Sequence, residues 1–149
     1  MVRAGEHGFT LIEVLLSVGL IAALAGLSLP IYASFANRND LDVDTQSLAG
    51  MLRRAETYAQ TMNGDSNWGV KVQSGSAVLF KGTSYATRDA TSDETDAIPT
   101  NITIGGSVSE VVFDKFTAAP STTGTITLTH TATNDVRTIT LNAKGMVDY

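Results

Sequence analysis

Residues 8–30 read GFTLIEVLLSVGLIAALAGLSLP, and this stretch decides the fold. It is apolar over residues 9–29, with polar side chains only at Thr10, Glu13, Ser17 and Ser28. About twenty such residues cross a hydrocarbon core of ~30 Å as a helix. The run is longer than the roughly 7–15 apolar residues of a secretory signal, and the bulky Pro30-Ile31-Tyr32 after it offers no small-residue cleavage site. Arg3 ahead of the run favours a cytoplasmic N-terminus, with the bulk of the chain outside. One ionisable group, Glu13, stands near the start. A carboxylate at the bilayer centre costs about 2.5–3.5 kcal/mol even on lenient insertion scales. A compensating partner is expected, and it is a clue to function.

Gly8-Phe9-Thr10-Leu11-Ile12-Glu13 resembles the processing motif of type IV prepilins and type II secretion pseudopilins. The resemblance implies a prepilin peptidase that cuts between Gly8 and Phe9 and then N-methylates Phe9. Residues 1–8 would be the leader, 9–36 the transmembrane and assembly helix, and 37–149 a periplasmic or extracellular pilin-like domain that includes the second half of the helix. The family also implies a single-pass protein of the bacterial inner membrane, later drawn into a pilus or pseudopilus filament. Its partners would be other pilin or pseudopilin subunits, the prepilin peptidase and inner-membrane lipid. One departure is visible: family leaders are usually basic just before the glycine, and here Glu6 and His7 stand there. Pro30 matches a family proline near the outer end of the apolar helix. Proline lacks a donor and clashes one turn back, so a kink is expected there.

Physics gives Glu13 a role beside the resemblance. Cleavage would create a cationic amine at Phe9, four residues earlier, and residues i and i+4 share a helical face. In a row of packed helices, the carboxylate can also meet a neighbour's amine. An unpaired buried charge is costly and a paired one much less so. Glu13 therefore reads as an assembly residue that favours the correct docking register.

Further along, Leu41, Leu48, Leu52, Ala55, Ala59 and Met62 trace one helical face, and Asn63-Gly64-Asp65 stops the helix. Strand-like runs follow at residues 68–72, 77–81, 101–104 and 111–113, with Gly105-Gly106 read as a turn. Residues 125–130 and 136–141 alternate cleanly around a hairpin loop at 131–135, and residues 146–149 are a candidate edge strand. The expected fold is α+β: a long N-terminal helix, membrane-spanning in its first half and amphipathic in its second, packed on a C-terminal antiparallel β-sheet domain. Trp68-Gly69-Val70, Val112-Phe113-Asp114, Gly124-Thr125-Ile126-Thr127-Leu128 and residues 139–145 are similar to the minor pseudopilin H and FimT-like group.

No constellation for catalysis is visible, and no enzyme is expected. There is no cysteine. The histidines are His7, in the expected leader, and His130, in a strand. Residues 88–96 hold Asp89, Asp93, Glu94 and Asp96 in what reads as a loop. Calcium takes about six to eight oxygen ligands, so these carboxylates are a calcium candidate. Their spacing does not fit an EF-hand and equally suits a solvated loop; no metal or cofactor is expected. The alternative function is a FimT-like minor pilin that binds DNA during uptake. That needs a basic patch. The net charge is −5, and Lys115, Arg137 and Lys144 alternate with Asp114, Asp135 and Asp148. The nucleic-acid signal is not strong.

Overall fold

The computed structural model describes the backbone of residues 8–149 and the side chains of residues 8–26 and 38–149. The chain divides into two compact units, Met1–Ala36 and Asn37–Tyr149. Helix α1, Leu11–Gln60, begins in the first and ends in the second. Residues 1–7 of the expected leader lie outside the described residues, as do the side chains around the kink expected at Pro30.

In the first unit, every described large apolar side chain of α1 faces solvent, from Leu11 at 79% exposure to Leu24 at 62%. A helix that is apolar all round belongs in a membrane or inside a larger assembly. Among the described residues no helix is long and apolar enough to cross a membrane. The described side chains of the apolar run stop at Gly26, short of the ~20 residues that a hydrocarbon core requires.

In the second unit, α1 buries Leu41, Thr45, Leu48, Ala49, Met51, Leu52, Ala55 and Ala59. The buried Thr45 hydroxyl donates to Leu41 O one turn back, at 2.7 Å, so its burial leaves no orphan donor. The sequence periodicity extended this stripe to Met62, but the structure does not. Met62 has left the helix with a left-handed φ of 54° and is 42% exposed. Its amide and that of Phe116 both donate to Ala59 O at 3.2 Å, closing the helix end.

Eight strands follow: β1 Trp68–Gln73, β2 Ser76–Lys81, β3 Asp89–Ala97, β4 Ile102–Gly106, β5 Glu110–Phe113, β6 Gly124–His130, β7 Val136–Leu141 and β8 Val147–Asp148. They form two four-stranded antiparallel sheets, ordered β3-β2-β1-β5 and β4-β6-β7-β8. The α+β expectation holds, but its one sheet becomes two. The division depends on β5, which returns to pair with β1 after β4 has gone to the other sheet. That non-local choice leaves no local pattern.

Alternation explains the faces of the second sheet. Ile126, Leu128, Ile139 and Leu141 are buried, while Thr125 pairs with Thr140 and Thr127 with Thr138 on the opposite face. Most buried apolar residues of α1 and both sheets form one core, with Val78, Phe80 and Val112 buried outside it. Gly105-Gly106 is not a turn but the end of β4. Gly106 has φ 109°, and a Cβ there would sit 2.3 Å from Thr125 O. Glycine is used for close approach to β6.

Two basic residues fasten the helix to the second sheet. Arg137 Nε donates to Asp42 at 2.7 Å, and Arg53 donates to Val147 O at 3.1 Å.

Candidate functional site

Gly8, Phe9 and Thr10 precede the first turn of α1. Gly8 has open space around its Cα, and Phe9 is 83% exposed. The Gly8–Phe9 bond thus lies in an accessible, non-helical segment immediately before a helix. Phe9, Glu13, Val14, Ser17 and Val18 line one shallow hollow, which brings Phe9 and Glu13 to the same side. Phe9 itself lies two residues outside the helix, so helical spacing alone does not set their separation.

A residue that the sequence reading missed is Thr10. Its hydroxyl accepts from Glu13 N at 3.3 Å, and its carbonyl accepts from Val14 N at 3.2 Å. Thr10 is the helix cap. Thr10-Leu11-Ile12-Glu13 has the Thr-x-x-Glu spacing of a capping box, a signal present in the sequence. Glu13 also stands in the first turn, where a negative charge complements the helix dipole.

The acidic stretch is not a loop. It is β3, an edge strand with no buried side chain. Its many Asp, Ser and Thr residues argue for a loop, and only pairing with β2 overrides that propensity. Pairing places Glu94 opposite Leu79 and Asp96 opposite Ala77, both core residues. Glu94 and Asp96 therefore face α1. Arg54 donates to Glu94 at 2.7 Å, and Ser47 donates to Asp96. Asp93 pairs with Arg88 at 2.8 Å, and the Arg88 guanidinium lies 3.8 Å over the Tyr85 ring. Asp89 accepts from the Thr91 hydroxyl at 2.6 Å and the Thr91 amide at 3.1 Å. These two bonds, the hydroxyl first, hold its carboxyl below the ordinary range. The four carboxylates thus share no partner. No group of three or more metal-ligating side chains gathers among the described residues.

A further carboxylate, Asp44 of α1, has a buried Oδ2 without a hydrogen-bond partner among the described residues. Burial, then the charges of Asp96 and Asp40, push its carboxyl above the ordinary value.

The three cations weighed for DNA binding do not assemble a patch. Lys115 pairs with Asp65 at 2.8 Å just past the end of α1, Arg137 pairs with Asp42 some five turns back along the helix, and Lys144 sits in the turn before β8. His130 is buried, its ring between Asn101 Nδ2 at 3.2 Å and Thr133 Oγ1 at 3.3 Å. It packs the β6–β7 corner.

Residues 3–29 match the prokaryotic N-terminal methylation motif. The fold resembles that of the minor pseudopilin EpsH from the type 2 secretion system of Vibrio cholerae, with a TM-score of 0.57. Motif and fold are thus each similar to those of known proteins, the motif over residues 3–29 alone. The likeness to EpsH covers 73% of this chain and 94% of that one at 10% identity, so it speaks for the fold. No curated protein matches the chain. The motif takes in the accessible segment around Gly8 and Phe9.

Proposed function

We propose that the chain is a structural subunit of a type IV pilus or a type II secretion pseudopilus. A prepilin peptidase removes residues 1–8 between Gly8 and Phe9 and methylates the Phe9 amine. Residues 9–36 then anchor the subunit in the bacterial inner membrane as a single pass, with residues 37–149 outside the cytoplasm. Assembly draws these apolar helices into the filament core, with Glu13 paired to a Phe9 amine, its own or a neighbour's. Other pilin-like subunits are the partners, and no catalytic step is assigned. The observation that carries the reading is the N-terminal methylation motif at an exposed bond, directly before a helix whose large apolar side chains from Leu11 to Leu24 are all exposed. A helix of that kind is stable only in lipid or in a bundle with its own kind.

Intact-mass and N-terminal peptide mass spectrometry on membranes and sheared cell surfaces test this. The expected chain begins at N-methyl-Phe9. A chain still beginning at Met1 or Val2 would remove the reading. Glu13→Ala is expected to leave cleavage and membrane insertion intact while depressing filament yield. A normal yield would remove Glu13 from assembly.

A further inference from the structure

Strand β3 differs in kind from the strand it pairs with. None of its nine side chains is buried, whereas Ala77, Val78, Leu79 and Phe80 of β2 all are. Apolar burial is what anchors most strands, and β3 has almost none. Its pairing with β2 is also interrupted. Register shifts between Leu79 and Lys81, carrying residues 90–93 out of the ladder. What remains on the helix side is a clasp, Arg54 to Glu94 and Ser47 to Asp96. The Arg54–Glu94 pair is about half exposed on both sides, so water and salt weaken it. Working against the clasp is Asp44, partly buried with an unpartnered oxygen and facing the charge of Asp96. Asp40 on the same helix adds a like charge.

We propose that β3 is a latch that opens and closes independently of the remaining strands, held shut by Arg54 and Ser47 and pushed open by Asp44. Local units of this sort open with less free energy than the whole domain. The clasp crosses between α1 and β3, around a cleft lined by Ser47, Met51, Arg54, Glu94, Thr95 and Asp96. Opening bares the backbone edge of β2, Ser76–Lys81, with its four apolar side chains.

The latch is tested by hydrogen–deuterium exchange with mass spectrometry on the full chain in detergent micelles at neutral pH. The bonded amides of residues 89–97 are expected to exchange at least about tenfold faster than those of residues 68–73. Arg54→Gln is expected to speed exchange in β3 by about two- to fivefold, the scale of an exposed ion pair. Asp44→Asn is expected to slow it by a similar factor. Neither substitution should alter residues 68–73. Exchange of β3 at the rate of β1 would overturn the proposal, because the strand would then open only with the whole domain. Unchanged or faster exchange in Asp44→Asn would overturn it too, since an edge that merely frays does not tighten when Asp44 loses its charge.

Discussion

Gly69 lies in β1 directly opposite Phe80 of β2 and Val112 of β5, and the packing there leaves no room for a methyl group. A Cβ at this position would stand 2.6 Å from Phe80 Cζ and 2.6 Å from Val111 O. The ring cannot simply swing away. Phe80 is fully buried, and its outer face is held edge-on by Tyr85 with centroids 5.6 Å apart. The carbonyl cannot move far either, because it belongs to a strand paired with β1. Gly69→Ala must therefore displace a packed ring and a backbone by most of an ångström. Overpacking of this type costs about 1–3 kcal/mol. For a domain the size of residues 37–149, about 4 °C is lost per kcal/mol, so Tm should fall by roughly 4–12 °C. Fluorescence of Trp68, the single tryptophan and the neighbour of Gly69, follows the transition. Because Cζ is one of the two clashing atoms, Phe80→Leu should cost less in the Gly69→Ala background than alone, with a coupling of about 0.5–3 kcal/mol. Melting within about 1 °C of the parent, or strictly additive costs, would refute the packing argument.

Leu52→Ala, at a fully buried position of α1, is expected to cost about 2–5 kcal/mol in denaturant unfolding, whereas Met62→Ala should stay within about 0.5 kcal/mol because Met62 is exposed. Asp44 predicts a pH dependence. Its carboxyl is raised above the ordinary 3.8 in the fold, so the native state holds that proton more tightly than the unfolded chain does. The resulting stability is complete below pH 3.8 and is lost as pH rises through the raised value. Asp44→Asn should therefore raise Tm at pH 7, and the gain should vanish when melts are repeated below pH 3.8; a gain independent of pH would contradict the assignment.

Much of this architecture was legible because its signals are local. The stripe from Leu41 to Ala59 is helical at its spacing, and the alternation in β6 and β7 names both the strands and their buried faces. What stayed hidden depended on distant partners. β3 has the composition of a solvated loop and becomes a strand only against β2. Gly105-Gly106 looked like a turn because its glycines serve proximity to β6, a fact of tertiary packing. Met62 kept the helical spacing while the backbone had already turned left-handed. At the candidate site, Gly8, Phe9 and Glu13 stood out by their motif and by charge in an apolar run. Thr10 was overlooked although its spacing to Glu13 was there to be read. A charge in an apolar run is the louder signal, whereas a hydroxyl three residues before a carboxylate speaks only to the backbone.

Thr10 and Glu13 make two accounts of the same carboxylate separable. In one, Glu13 serves the helix start, beside a cap whose hydroxyl accepts its amide at 3.3 Å. In the other, its charge meets the Phe9 amine that the proposed cleavage would create. Thr10→Val keeps shape and charge but deletes the cap. Cap loss costs about 0.5–2 kcal/mol of local helix stability and should fray only the first turn. Glu13→Gln keeps the Thr10–Glu13 amide bond, because that bond uses Glu13 N, and removes only the charge. If Glu13 acts through its charge in the assembled state, Glu13→Gln should depress filament yield as strongly as Glu13→Ala, and Thr10→Val should depress it little. If Glu13 acts through the helix start, Thr10→Val should be the damaging change and Glu13→Gln the mild one. Yield of sheared filaments from the three variants, measured on equally cleaved protein, decides between them. A strong loss in Thr10→Val with normal yield in Glu13→Gln would transfer the assembly role from the carboxylate to the cap.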